Sequence, residues 1–101
     1  MDSLELYRVS YSGRVRESLK SLLARARAAG RGSQVLEAIL KLDRMLQIYP
    51  QFGDPLRDLS LEGAQLWIGV IRPLVSRYVI DEIHRQVLVV APPQSLPRSG
   101  F

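Results

Sequence analysis

The spacing of apolar residues changes period along the chain, and each period predicts a different element. Leu4, Leu6, Arg8 and Ser10 alternate with Tyr7, Val9 and Tyr11, which predicts a strand over residues 5–11. From Val15 onward, Val15, Leu19, Leu22 and Ala26 recur at i, i+4, i+7 and i+11, the stripe of a helix buried along one side. Ser12 is placed to cap that helix, and Gly30-Arg31-Gly32 to end it, with Gly30 supplying the left-handed conformation. The stripe then repeats as Val35, Ile39, Leu42 and Leu46, widened by Leu36, Leu40 and Met45, with Ser33 as the expected N-cap. Pro50 disfavours helical backbone at the residue before it, so this second helix should stop near Tyr49. Two amphipathic helices so closely joined make an αα-hairpin.

Beyond Pro50 the helical period does not return. Residues 50–55, Pro-Gln-Phe-Gly-Asp-Pro, read as a loop. Four period-two stretches follow. The first covers residues 56–61 and ends at a Glu62-Gly63 turn. The second, residues 65–71, puts Leu66, Ile68 and Val70 on one face and Trp67 and Ile71 on the other. Pro73 marks a turn, a bulge or an edge. The third sets Val75, Arg77 and Val79 against Ser76, Tyr78 and Ile80, and the fourth runs from Gln86 to Val90 after a turn over Asp81–Arg85. The expected architecture is α+β, in the order β-α-α-β-β-β-β, with the helical hairpin on one face of the sheet. Short consecutive strands joined by tight turns imply antiparallel pairing. Residues 1–92 form one domain in this reading, and 93–101 a proline-rich tail, either extended or without fixed structure.

Composition narrows the chemistry. With 101 residues and 47% hydrophobic content the chain can bury a core without a staple, and it contains no Cys for disulfides or thiolate chemistry. The longest apolar run, Val87–Ala91, is far short of the roughly 20 residues that span a bilayer. Asp2 and Glu5 precede any apolar stretch, unlike a signal peptide, so the expectation is a cytoplasmic protein. The net charge is +4, and of the 14 basic residues only Lys20 and Lys41 are Lys. That bias suits either an anionic partner or a solvated surface.

The candidate residues each admit two readings. His84 is the single histidine; it lies in a charged turn beside Asp81, Glu82 and Arg85, where a solvated residue is expected. No spacing suggests a metal, a cofactor or a phosphate loop. Arg57, Arg72 and Arg77 either form a phosphate-facing cluster or pair with Asp54, Asp58, Glu62 and Asp81. Arg14, Arg16, Lys20, Arg25 and Arg27 on the first helix read as a solvated face, interrupted by Glu17 and lacking aromatics. Trp67 belongs in the core against the helices; on the uncovered face, beside Tyr78, it would instead form a patch for a partner.

Two stretches carry a family likeness. Leu46-Gln-Ile-Tyr-Pro50-Gln-Phe-Gly53-Asp-Pro55-Leu56-Arg57-Asp-Leu59 resembles the passage from second helix to sheet in the RelE/ParE toxins of type II toxin–antitoxin systems. Tyr78-Val-Ile-Asp81, followed by Gln86-Val-Leu-Val-Val90, is similar to that superfamily's tyrosine strand, acidic turn and valine-rich last strand. The resemblance covers about residues 5–92. It implies a basic concave sheet face, an antitoxin peptide as partner, and either messenger RNA in the ribosome or DNA gyrase as target. Cleavage by the RelE branch would draw on Arg57, Arg72, Arg77 and Tyr78 here. Yet Val75 stands where the family usually places an Arg, and no basic residue follows the last strand until Arg98. The expectation is therefore a divergent RelE/ParE-like protein that acts mainly by binding, through Arg57, Arg72, Arg77 and Trp67. Translation-dependent mRNA cleavage is the alternative, and a structural domain that self-associates, for instance as a homodimer, is the third reading.

Overall fold

A computed structural model describes residues 5–58 and 63–96. β1 (Arg8–Tyr11) leads into α1 (Gly13–Ala28) and α2 (Gly32–Ile48); β2 (Asp54–Asp58), β3 (Ala64–Ile71), β4 (Leu74–Asp81), β5 (Gln86–Val89) and the short β6 (Gln94–Ser95) follow. The expected α+β order holds: two helices cover one face of a single sheet.

The helix ends form as their residues require. The Ser12 hydroxyl accepts the Val15 N–H at 3.1 Å, taking up one of the amides that a first helical turn leaves free. At the other end of α1, Gly30 has φ +74°, and the amides of Gly30 and Arg31 bond back to the carbonyls of Arg27 and Ala26. That pair of hydrogen bonds is a Schellman cap, and the left-handed residue it needs is a glycine. Ser33 does not cap α2. The helix already begins at Gly32, with Arg31 at the cap position and no side-chain cap bond, because the Schellman turn has set the chain in helical course one residue earlier. α2 ends at Ile48, and Pro50–Phe52 make a 3-10 turn within the stretch expected to be loop.

Both apolar stripes turn inward, with Leu19 and Ile39 only partly buried. Val15, Leu22 and Ala26 of α1 and Val35, Ala38, Leu42 and Leu46 of α2 face the sheet residues Leu74, Tyr78, Ile80, Val87 and Val89. A fully buried aliphatic side chain is worth about 1.5–3 kcal/mol, so these positions dominate the stability. Leu36 and Leu40, expected to widen that face, are exposed on the outer side of α2.

The sheet order is β1-β5-β4-β3-β2, with β6 on β4 beside the end of β5. Hairpins make β2·β3, β3·β4 and β4·β5 antiparallel, as expected. β1 corrects the expectation: it runs parallel to β5, with Arg8 opposite Gln86 and Tyr11 opposite Val89. No tight turn joins these two strands, so turn geometry never set their direction. β2 also starts earlier than its spacing predicts, at Asp54, and carries an irregularity between Pro55 and Arg57. Proline is tolerated there because β2 is an edge strand. The rest of the expected strand 56–61 and the first residue of the Glu62-Gly63 turn lie outside the described residues. Arg72 and Pro73 form the two-residue β3–β4 turn, joined by a cis bond.

Candidate partner-binding face

Strand alternation sorts the sheet into two faces. Ser76, Tyr78 and Ile80 point toward the helices and are buried, with Trp67 and Ile71 packed against the same core. The residues between them point the other way, where none of the described helices lies. The register stacks them into rows: Ser10, Leu88, Val79 and Leu66 across β1, β5, β4 and β3, then Arg77 beside Ile68, then Val75 beside Val70. Val90 follows β5 and donates its N–H to the Arg77 carbonyl. Leu88, Val70 and Val90 are each nearly half exposed, whereas Leu66, Ile68, Val75 and Val79 are partly buried by their neighbours alone. The open face is therefore an aliphatic strip.

Arg77 interrupts that strip. It is exposed, and its guanidinium makes no hydrogen bond or ion pair among the described residues. With Ile68, Val75, Ala91, Pro92 and Gln94 it lines a recess of about 140 Å³. The recess forms where β5 ends and Ala91-Pro92-Pro93 carry the chain across before β6 pairs with Leu74 and Val75.

The other candidate residues lie elsewhere. Arg72 is in the β3–β4 turn, also unpaired among the described residues, beside Gln34, Glu37 and Lys41 of α2. Arg57 pairs through its backbone with Leu66 on the edge strand β2. Tyr78 and Trp67 face each other across β3 and β4 on the helix side, so neither shares a face with Arg77. Tyr78 has no exposed surface; its hydroxyl donates to the Pro50 carbonyl at 2.7 Å, and burial pushes its ionisation well above the ordinary tyrosine value. The Trp67 indole N–H donates to Gln65. Of the sequence cluster, Arg72 and Tyr78 thus lie apart from Arg77, in a turn and in the core, while Arg57 stands on the edge strand in register with Leu66.

His84 does have a partner. Its Nδ1 lies 2.8 Å from Asp81 Oδ2; a carboxylate can only accept, so Nδ1 carries the proton. The His84 amide donates to the other oxygen of Asp81, which makes the pair the cap of the β4–β5 turn. Those bonds to His84, side chain first, hold the Asp81 carboxyl below its ordinary value. On α1, Lys20 meets Glu17 at 3.7 Å, and both are well exposed. A wide groove of about 750 Å³ runs between Arg14, Glu17, Ser18, Ser21 and Arg25 of α1 and the 92–95 segment. Among the described residues no three His, Asp or Glu side chains are grouped as metal ligands, and no helix is long and apolar enough to cross a membrane.

One solved structure matches the chain closely in shape: the archaeal RelE–RelB complex from Pyrococcus horikoshii OT3, with a TM-score of 0.61 over 91% of this chain and 97% of that one, at 14% sequence identity. The fold is RelE-like. No family model matches the sequence, and no curated protein matches it.

The RelE-like fold explains why the two motif stretches occur together. Pro50 supplies the carbonyl that receives the Tyr78 hydroxyl, and the Phe52 ring stacks near Tyr78 with centroids 6.0 Å apart. A Cβ at Gly53 would come within 2.7 Å of that hydroxyl and closer still to the Ile68 carbonyl, so only glycine fits. Leu46, Pro50, Gly53 and Tyr78 form one locked corner that fixes the helices on the sheet. What the sequence reading missed was the aliphatic open face. Its signal was present: Leu66, Ile68 and Val70 are as apolar as Trp67 and Ile71 behind them, so β3 has no polar side.

Proposed function

We propose that this protein acts by binding: its open sheet face receives an apolar segment of a partner protein, in the manner of a toxin-type protein held by an antitoxin-type partner in the cytoplasm. One observation carries this reading, the uncovered strip of Leu66, Ile68, Val75, Val79, Leu88 and Val90. Contiguous exposed apolar surface on a folded domain marks a place where another molecule sits. The neighbour of the same fold supports it, since that protein was solved as a RelE–RelB complex.

A second reading, mRNA cleavage, is favoured by the free Arg77 guanidinium, which could meet a phosphate. Cleavage by the RNA's own 2′-hydroxyl also needs an acid and a base flanking the same phosphate. Asp81, with His84, lies four residues along β4 from Arg77, about 13 Å along the backbone at the rise of a strand, and neither lines the recess beside Arg77. The side chains that line the recess with Arg77, aliphatic apart from Gln94, include no carboxyl or imidazole group.

Co-expression with any short reading frame flanking the gene tests the binding account. Co-purification that Leu88→Lys disrupts, with growth arrest in the absence of the second frame, is the expected result. Translation-dependent mRNA cuts that Arg77→Ala abolishes would replace binding with catalysis.

A further inference from the structure

We infer that the recess beside Arg77 takes a single carboxylate side chain of the bound segment, which sets the segment's register on the open face. This inference rests on the binding function proposed above. Three observations carry it. First, Arg77 is without a partner among the described residues, although an unpaired guanidinium on an aliphatic surface becomes costly once a partner excludes water. The occupant must therefore bring an acceptor. Second, the remaining walls are Ile68, Val75, Ala91 and Pro92, with Gln94 as the only other polar group. An occupant of this site is apolar apart from one acidic tip.

Third, size decides how large that tip is. A volume of about 140 Å³ is close to a cavity that holds one benzene-sized group, and well below the roughly 300–1,000 Å³ of small-molecule sites. One Asp or Glu side chain enters; a cofactor or a nucleotide does not. Guanidinium and carboxylate are matched in shape and can bond bidentately, so the pair gives direction as well as attraction. The flanking Val79, Leu88 and Val90 then receive apolar residues on either side of the acid. The recognised chemistry is an apolar segment carrying one carboxylate among aliphatic side chains.

The test is selection of binders from a random peptide library displayed against the folded protein, followed by measurement of the best peptide on variants. The expected outcome is an enriched peptide with one Asp or Glu between apolar residues. Changing that acid to its amide should weaken binding to the native protein about tenfold, the scale of one charge-assisted hydrogen bond. On Arg77→Gln the same change should have no further effect, and Arg77→Glu should favour a lysine in its place. Circular dichroism shows whether each variant is folded, and the exposure of Arg77 predicts that all are. If peptides bind and perturb NMR signals of Leu88 and Val90 but ignore Arg77, the carboxylate recess is wrong while the binding face stands. If no peptide reaches that face, both fall. A single-stranded RNA oligonucleotide that binds more tightly than any peptide, and only with Arg77 present, would assign the recess to phosphate instead.

Discussion

The Tyr78 hydroxyl ties the middle of β4 to the end of α2 through the Pro50 carbonyl, in a site with no access to water. Tyr78→Phe keeps the ring and its stacking on Phe52 but strands that carbonyl, so it should cost about 1 kcal/mol at neutral pH. The difference should also depend on pH. Burial raises the Tyr78 ionisation above its ordinary value of 10.0, so the unfolded chain releases this proton first. The Tyr78 contribution is whole below pH 10.0 and is lost as pH rises toward the folded-state value. Denaturant unfolding of both proteins between pH 7 and 11.5 should show the gap narrowing above pH 10; a gap that widens there would refute the assignment. The wild-type slope should persist in part in the variant, because Tyr11, partly buried and bonded to Asp43, is raised in the same direction.

The elements differ in how far their own residues determine them. α1 is specified at both ends, by Ser12 and by Gly30, and its start and stop could be read from the sequence. Ser12→Ala should lower stability by about 1 kcal/mol, measured as a shift in denaturant midpoint at unchanged slope. α2 lacks a side-chain cap and depends on the Schellman turn before it, so Ser33→Ala should have little effect in the same experiment. The sheet was legible where hairpins set it. β1 was legible as a strand and not as a neighbour: Tyr7 bonds to the Gln47 carbonyl, and Arg85 stacks over Tyr7 at 4.5 Å while donating to the Glu5 carbonyl. Those contacts join residues about 40 and 80 positions apart, and no local spacing encodes them. Arg72 and Arg77 part company for a related reason. Arg72 and Arg77 are close in sequence, but a turn and a strand separate them in direction.

At the scale of the whole molecule the shape is a slab, 41 × 35 × 24 Å, with a radius of gyration of 14.1 Å. Compact domains of this length average about 12.7 Å. The described fold has two layers, where a sheet with apolar residues on both faces would ordinarily carry three. A missing layer can be detected without knowing what fills it. The dye 8-anilinonaphthalene-1-sulfonate carries apolar rings and one anionic group, and so resembles in miniature the occupant that the open face with Arg77 invites. Native protein at neutral pH should enhance its fluorescence well above the level of an ordinary folded domain. The double variant Leu88→Lys, Val90→Lys should abolish most of the signal with little change in melting temperature, since both side chains are nearly half exposed and support no core contact. Leu36→Lys with Leu40→Lys, on the outer side of α2, is the control that should leave the signal in place. If the α2 variant quenches the dye and the sheet variant does not, the binding surface lies on the helices, and the open sheet face is only an exposed back.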